Sequence, residues 1–323
     1  MPSFNTARLA EAQARAASHR AHLRSRPYGG LWTSSRAAEP FETAGKLAKH
    51  GVVGLSGLLG SGELEKLRGL VDRELTLRKR QATSWRCGPL QQPANAAEAA
   101  VEAAIEATFD RYFGDVRQRI RRYDLKLSIE EPVVREVLRK LCNALGPLLE
   151  QVVTLDARIV ELASMISDPG ALPQQYHSDT LLPSTCGAPV YTCFIALQDV
   201  EPAMGATWVI PGTHTEARHH ELRDQGPERS KKRQAASAAA VQMTCKSGDA
   251  FLMDSRLWHH GGGNTSDSRR RLFYVTFGVP YCHPKGSTYS ILDELAGKLK
   301  LRDWVSSSTP PPLASMEKDP CGK

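Results

Sequence analysis

The stretch Asp249-Ala-Phe-Leu-Met-Asp-Ser-Arg-Leu-Trp-His259-His260-Gly-Gly-Gly-Asn264-Thr-Ser-Asp-Ser-Arg269-Arg270-Arg271 joins an apolar run, a histidine pair, a glycine turn and three arginines. Its apolar run is as short as a buried strand. The glycines and Asn264 form a hairpin signal, so we expect a second strand to start at the arginines and to pair with the strand that ends at His259. The stretch therefore predicts a histidine and an arginine on neighbouring strands.

A second pair of metal-ligand types lies upstream, at His177-Ser178-Asp179. On a strand, residues two apart point to the same face, so both side chains could bind one metal ion. Together with His259 or His260 they would form a facial triad of two histidines and one carboxylate, which leaves positions open on Fe(II) for an oxo-acid and oxygen. His214-x-Glu216 and His219-x-Glu221 show a related spacing but lack strand flanks, which makes them weaker candidates.

Helical periodicity dominates the first half of the chain. Three helices are predicted: one opens at Ser61, one runs through residues 101–116, and one begins with Pro132 in its first turn. Their expected inward faces comprise Leu64, Leu67, Leu70, Val71 and Leu75, then Val101, Ile105, Phe109, Phe113 and Val116, and finally Val133, Val137, Leu141, Leu145, Leu148 and Leu149.

The periodicity becomes strand-like after residue 157. A short strand at His50-Gly-Val-Val-Gly-Leu-Ser precedes the helices, and later runs alternate with turn residues. These runs are Arg158–Ile166, Val190–Leu197, Ala206–Ile210, Asp249–Met253 and Leu272–Phe277. Five or more short strands at such spacing predict a barrel or a jelly roll. The expected fold class is therefore mainly β with flanking helices (α+β).

Four motifs, in this order along the chain, resemble the phytanoyl-CoA dioxygenase family of Fe(II)/2-oxoglutarate oxygenases. They are His50-Gly-Val-Val-Gly-Leu-Ser-Gly-Leu-Leu, Gln174-Gln-Tyr-His177-Ser-Asp179, the pair Phe194-Ile-Ala-Leu-Gln-Asp-Val and Gly205-Ala-Thr-Trp-Val-Ile-Pro-Gly-Thr-His214, and His259-x-Gly-x-x-Asn264-x-Ser266 with Arg270. The resemblance covers about residues 45–280. It implies a double-stranded β-helix (a jelly-roll, cupin-like core), Fe(II), 2-oxoglutarate and O2 as cofactor and cosubstrates, and His177, Asp179 and His259 as iron ligands.

The same resemblance implies that Arg270 binds the C5 carboxylate of 2-oxoglutarate. Adjacent strand residues face opposite ways, so only one of His259 and His260 can reach the metal. The family's spacing selects His259, and it likewise selects Arg270 over Arg269 and Arg271. Thr192 is a further candidate for 2-oxoglutarate, although strand propensity alone also explains a threonine there. Some relatives carry a serine where this chain has Gly261, which leaves the second contact to 2-oxoglutarate open.

Charge and composition predict the remaining organisation. Lys and Arg number 42 against 35 Asp and Glu, a net charge of +7. We expect a basic segment 1–44, which resembles a transit peptide or a surface helix, a dioxygenase domain 45–299 with a basic insertion 215–242, and a polar tail 300–323. The insertion is expected to be a mobile loop, because it is long and has no strand periodicity.

Compartment and partners follow from what the sequence lacks. The seven cysteines contain no Cys-x-x-Cys pair, which favours a reducing compartment and an intracellular, cytoplasmic protein, with organelle import as the alternative. No apolar run is long enough for a membrane span. Nucleic acid is not the expected partner, because no aromatic residues are interleaved with the basic ones. Nothing in the sequence predicts an oligomeric state.

The expected function is that of a dioxygenase that hydroxylates a small organic substrate while 2-oxoglutarate is converted to succinate and CO2. Asp179 argues against halogenation, because by resemblance a halogenase has a small residue at that position. A catalytically idle jelly roll that serves as a binding or scaffold protein and a nucleic-acid demethylase are the alternatives.

Overall fold

A computed structural model describes residues 31–34, 40–81, 109–180, 190–223, 229–280 and 289–305. Five α-helices lie wholly within these ranges: α1 (Pro40–His50), α2 (Ser61–Gln81), α3 (Pro132–Val152), α4 (Glu216–Arg223) and α5 (Arg229–Ser237). Ten strands accompany them: β1 (Trp32–Ser34), β2 (Val52–Ser56), β3 (Arg122–Lys126), β4 (Arg158–Ser167), β5 (Val190–Ala196), β6 (Thr207–Val209), β7 (Val241–Met243), β8 (Ala250–Asp254), β9 (His259–Gly261) and β10 (Arg270–Gly278). The mainly β fold class is confirmed.

Two sheets form the core of the double-stranded β-helix. The larger has the order β1-β2-β8-β5-β10-β4-β3, and the smaller has the order β7-β6-β9. All neighbours pair antiparallel except β1 and β2. The outer face of the large sheet packs on α1, α2 and α3, whereas its inner face is directed towards the small sheet.

Strand β10 shows how the sequence builds these two faces. Phe273, Val275 and Phe277 belong to the core under the helices, whereas Leu272 packs in the core between the sheets. Successive side chains on a strand point to opposite faces, so Arg270 shares the inner face with Leu272. The five predicted runs after residue 157 are all strands, with small differences at their ends.

The region before the first of these strands differs from the prediction. Residues 101–108 lie outside the described residues, and the helix predicted over 101–116 ends at residue 112. Phe113 instead forms an antiparallel bridge with Leu125 in β3, a strand that was not predicted. Phe113 is buried against this strand, and this packing determines its conformation although its spacing in the sequence fits a helix.

The predicted pairing of β9 with β10 is wrong. β9 pairs with β6 in the small sheet, and β10 pairs with β4 and β5 in the large sheet. Residues 262–269 therefore cross from one sheet to the other instead of forming a hairpin. His177 is also not part of a regular strand, because it forms a single isolated bridge, to His259.

The described parts of the basic insertion 215–242, residues 215–223 and 229–242, are packed, which corrects the expectation of a mobile loop. It contains α4, α5 and the start of β7, and Leu222 and Ala236 are buried in a cluster with Ile210 and Trp258. The Arg233 guanidinium lies 5.0 Å from the centre of the Trp258 ring. The two helices are almost wholly polar, so no apolar periodicity indicates their packing.

The ends of the domain also extend beyond the predicted boundaries. Thr43 of α1 and Trp32 of β1 are buried, so part of segment 1–44 belongs to the folded unit. At the other end, Leu301 and Trp304 are fully buried, although the polar tail was predicted to begin at residue 300. The expected transit-peptide or helical region before residue 31 and the tail beyond 305 lie outside the described residues. No helix within the described ranges is long and apolar enough to cross a membrane.

We expect Leu222→Ala to lower the free energy of unfolding by about 2–3 kcal/mol, because it would leave a cavity against Trp258. Leu77→Ala is the matched control, since that side chain on α2 is 41% exposed, and should cost no more than about 0.5 kcal/mol. Urea unfolding of both variants measures the difference. Equal effects would show that the insertion does not pack on the domain.

Candidate metal centre and its cavity

The three predicted metal ligands meet at the edge of the small sheet. His259 is the first residue of β9, and its backbone exchanges two hydrogen bonds with His177, at 2.8 and 2.9 Å between N and O. Asp179 follows two residues later, where its backbone N–H donates to the Ser255 carbonyl. Backbone hydrogen bonds therefore hold both segments in place independently of any ion.

The ligand atoms of His177, Asp179 and His259 all lie within 4.8 Å of one another. The two carboxylate oxygens of Asp179 are 3.5 Å from His177 Nε2 and 3.6 Å from His259 Nε2. These distances leave room for one ion between the three side chains. Among the described residues this is the one group of three such side chains that could hold a metal.

Both imidazoles present the nitrogen that a metal needs. Nδ1 of His177 lies 2.8 Å from the Gln175 carbonyl, and Nδ1 of His259 lies 2.9 Å from the Leu257 carbonyl. A carbonyl only accepts, so each Nδ1 carries the proton and each Nε2 lone pair faces Asp179. Such hydrogen bonds orient metal-binding histidines in proteins.

The charges of the group suit a divalent cation. Burial lowers the pKa of His259 to about 4, so its imidazole is neutral at physiological pH. Exclusion of water opposes ionisation of Asp179, but its neighbours His259, His177 and Arg117 together outweigh this effect and hold its pKa at about 2. Two imidazoles and one carboxylate are the donor set of non-haem Fe(II) sites.

The competing histidines lie elsewhere. His260 points away from the group and packs against Tyr176 and Trp208, with ring centres 4.3 and 6.4 Å apart. His214 Nε2 lies 2.9 Å from the Ala48 carbonyl, and His219 Nδ1 lies 3.2 Å from the Arg256 carbonyl. Both are buried and contact the body of the domain, so neither His-x-Glu pair contributes to this centre.

Arg270 lines the same cavity as the three ligands and is almost fully buried. Its guanidinium donates to the Gly205 carbonyl and, at 3.0 Å, to Ser167 Oγ, but Nε has no partner. No carboxylate forms an ion pair with it within the described ranges. Burial and the nearby positive charge of Arg122 lower the pKa of Arg270 to about 9. This shift reflects the free energy needed to bury a cation without an anion beside it.

The neighbouring arginines point outwards, as the alternation of β10 requires. Arg271 donates through two nitrogens to Asp72 on α2, each at 2.8 Å. Arg269 contacts Asp72 at 3.0 Å and also pairs with Asp168. These two arginines therefore have carboxylate partners, whereas Arg270 has none in the part of the chain that the structure describes.

Thr192 also lines the cavity, but its hydroxyl is 2.9 Å from the Thr276 hydroxyl. Thr276 in turn donates to the Glu161 carboxylate. The Thr192 hydroxyl thus belongs to a chain of side-chain hydrogen bonds on the large sheet. Its contact with 2-oxoglutarate stays a prediction.

The structure shows why a serine in place of Gly261 would not fit. A Cβ atom at this position would lie 2.5 Å from Nη1 of Arg122 and 2.7 Å from Oε1 of Gln174. Arg122 is fully buried and donates to the carbonyls of Leu172 and Gly262, both at 2.9 Å, so it is not free to move aside. A guanidinium therefore fills the space beside β9.

Sequence reasoning missed Arg122 because it missed β3. The run Arg122-Tyr-Asp124-Leu-Lys126 alternates polar and apolar residues, which is the signal of a strand with one polar face. Asp124 on this strand and Glu161 on β4 also line the cavity, and neither was a candidate. The cavity has a volume of about 430 Å³ and its walls come from both sheets.

Comparisons with known proteins give the family and the fold of this chain. The family model described as phytanoyl-CoA dioxygenase matches residues 47–272. No significant match was found among curated proteins. A similar fold occurs in the non-haem α-ketoglutarate-dependent epimerase SnoN from nogalamycin biosynthesis, with 15% sequence identity and a TM-score of 0.53 over 87% of this chain and 94% of that chain. The carbocyclase SnoK from the same biosynthesis has 19% identity and a TM-score of 0.51 over 79% of this chain and 89% of that chain. AviO1 from Streptomyces viridochromogenes has 19% identity and a TM-score of 0.50 over 76% of this chain and 97% of that chain.

The protein belongs to the phytanoyl-CoA dioxygenase family, because the match covers more than half of the chain. It is therefore a non-haem iron enzyme that depends on 2-oxoglutarate, and the predicted Fe(II), 2-oxoglutarate and O2 are confirmed as those of its class. At these sequence identities, the structural likeness establishes the double-stranded β-helix fold.

We expect His259→Ala to weaken Fe(II) binding by at least 100-fold, because it removes one of three ligands at a centre with only three. His260→Ala is the matched control and should retain the affinity within about threefold. Anaerobic titration of Fe(II) into both variants, followed by calorimetry, gives the two affinities. A stronger effect at His260 would place the metal on the opposite face of β9.

Proposed function

We propose that this enzyme hydroxylates a C–H bond of a small organic substrate. One observation carries the proposal: a His-Asp-His group with a carboxylate intact shares a cavity with a buried arginine that has no anionic partner among the described residues. The carboxylate completes a metal site, and the arginine matches one end of a dicarboxylate cosubstrate. The same cavity has further space on the side of Asp124 and Glu161.

His177, Asp179 and His259 would hold the Fe(II) ion. When bound, Fe(II) supplies oxidative decarboxylation of 2-oxoglutarate and oxidation of the substrate C–H bond. The hydrogen bonds to both Nδ1 atoms keep the imidazoles oriented while cosubstrate and products exchange. No side-chain acid or base is needed for hydrogen transfer.

Arg270 would bind the C5 carboxylate of 2-oxoglutarate. Its guanidinium is already fixed by Ser167 and Gly205, so little side-chain entropy is lost when the carboxylate binds. The planar fork suits a carboxylate and forms charge-assisted hydrogen bonds. The carboxylate also supplies the negative charge that the buried guanidinium lacks, which we take as support for this assignment.

Apolar walls would keep bulk water from the reacting C–H bond. Met165, Phe194 and Leu272 line the cavity on the inner face of the large sheet. They border the space between the arginine and the acidic residues. A substrate held there is desolvated, which strengthens its electrostatic contacts with the protein.

Three other reactions are separated from hydroxylation by their products. The similar proteins named an epimerase and a carbocyclase indicate that this fold also serves isomerisation and ring closure. Isomerisation leaves the substrate mass unchanged, ring closure removes two hydrogens, and hydroxylation adds one oxygen. Halogenation is disfavoured by Asp179, whose carboxylate occupies the position that a halide would need.

The test is a screen of metabolite pools with Fe(II)-loaded protein, 2-oxoglutarate and high chloride. We expect succinate to form in equal amount to a product that has gained one oxygen. A chlorinated product, or one of unchanged mass, would contradict hydroxylation. Absence of succinate would favour the scaffold alternative, and a strongly salt-dependent affinity for DNA or RNA would favour the demethylase.

Arg270→Ala should weaken binding of 2-oxoglutarate by about thirtyfold to several thousandfold, because loss of a desolvated charge pair costs on the order of 2–5 kcal/mol. Arg270→Lys should lose less, since lysine retains the charge but not the fork. Arg271→Ala is the matched control and should keep the affinity, because that side chain faces Asp72. Titration of 2-oxoglutarate into Fe(II)-loaded protein measures all three. A larger loss at Arg271 would contradict the inward orientation of Arg270.

A further inference from the structure

Glu161 lies on the cavity wall at the opposite end of β10 from Arg270. It is on β4 opposite Thr276, and the register of β4 and β10 shifts at the next pair. This irregularity leaves Val160 without a partner on β10, whereas Glu161 follows the regular alternation of Met165 and Ala163 and points to the same inner face. The carboxylate is partly buried and lines the cavity together with Asp179 and Tyr289.

The Glu161 carboxylate has few partners. Thr276 Oγ1 donates to one oxygen, and the backbone N–H of Ser290 approaches the other at 3.4 Å. No basic side chain of the described residues lies within ion-pair distance of it. Arg117, which also lines the cavity, lowers the pKa of Asp179. One carboxylate oxygen is thus left with a single long contact.

Asp124 is a second carboxylate on the same wall but is better satisfied. Tyr274 Oη donates to it at 2.7 Å, and the Ser290 hydroxyl donates to its other oxygen. The neighbouring Lys126 turns its ammonium group towards the Asp110 carbonyl, at 2.6 Å. Asp124 therefore adds negative charge near Glu161 and holds Ser290 in place.

Burial without a cation destabilises both charges. It raises the pKa of Glu161 to about 8 and that of Asp124 to about 6. A bound cation would reverse this effect for the carboxylate that it touches. The protein itself provides no such cation beside Glu161 among the described residues, just as it provides no anion beside Arg270.

Aromatic rings surround the space in front of Glu161. Phe194, Tyr274 and Tyr289 line the cavity, and the centres of the first two rings are 5.3 Å apart. Aromatic faces attract cations, especially in desolvated sites.

Arg270 and Thr276 are six residues apart on β10, about 20 Å along an extended strand. The cationic and acidic ends of the cavity are thus well separated.

We propose that the substrate of this oxygenase carries a protonated amine, which binds to Glu161 among the aromatic rings of the cavity. This inference rests on the proposed function, because it places the substrate beside the metal ligands. Glu161 forms the ion pair, Asp124 adds long-range attraction, and the rings contact the remainder of the ammonium group. A substrate with a carboxylate or phosphate at this end would form no ion pair with Glu161 and would be repelled by Asp124.

The test uses three probes of matched shape, benzylamine, benzyl alcohol and benzoate. Each is titrated at neutral pH into anaerobic protein that is already loaded with Fe(II) and 2-oxoglutarate, so that Arg270 is occupied and no turnover occurs. We expect benzylamine to bind at least tenfold more tightly than benzyl alcohol, and benzoate to bind most weakly. In Glu161→Gln the preference for the amine over the alcohol should fall at least tenfold.

Glu150→Gln is the matched control, because Glu150 is exposed on α3 and should keep the preference unchanged. Asp124→Asn provides a second variant if Glu161→Gln fails to fold, and a fall of about threefold is expected there. Wild-type protein that takes up 2-oxoglutarate but binds benzylamine no better than benzyl alcohol overturns the inference. Retained preference in both Glu161→Gln and Asp124→Asn also overturns it. Failure of the wild-type protein to bind 2-oxoglutarate would instead contradict the proposed function.

Discussion

The pairing of β10 with both β4 and β5 determines where the chemistry of this protein lies. Strand alternation places Arg270, Leu272, Tyr274 and Thr276 on one face, so one strand spans the cavity from its cationic end to its acidic end. The outward residues Phe273, Val275 and Phe277 anchor that strand in the helical core. A register shift of one residue would exchange the two faces and move Arg270 out of the cavity.

The small sheet positions the histidine ligands through backbone hydrogen bonds. Its strands are only three residues long, and the bridge between His177 and His259 extends it by two hydrogen bonds. The packed insertion supports this edge from outside, because Leu222 and Ala236 bury Trp258, which precedes His259, and Tyr176 packs against the same cluster. Both histidine ligands are therefore next to aromatic residues that the insertion contacts.

The sequence predicted the long strands and helices well because their apolar runs are strong signals. It also predicted which side chains could form the metal centre, since His-x-Asp and a distal histidine carry that chemistry. The charged strand β3, the polar helices α4 and α5 and the crossing from β9 to β10 were not predicted. In each case contacts between residues far apart in the sequence decide the structure. Phe113 pairs with Leu125 of β3, and Leu222 of α4 packs against Trp258. The segment between β9 and β10 crosses because these strands pair in different sheets. Arg122 and Glu161 were missed for the same reason, because only the assembled sheets bring them to the cavity.

We propose that one cavity binds iron through His177, Asp179 and His259 and holds 2-oxoglutarate through Arg270. Anomalous diffraction at the iron edge, from crystals grown anaerobically with Fe(II) and 2-oxoglutarate, can locate both groups in one experiment. We expect a single iron peak bonded to these three side chains, with the distal carboxylate of 2-oxoglutarate on the Arg270 guanidinium. An iron peak at any other group of residues, or a 2-oxoglutarate carboxylate bound away from Arg270, would contradict it.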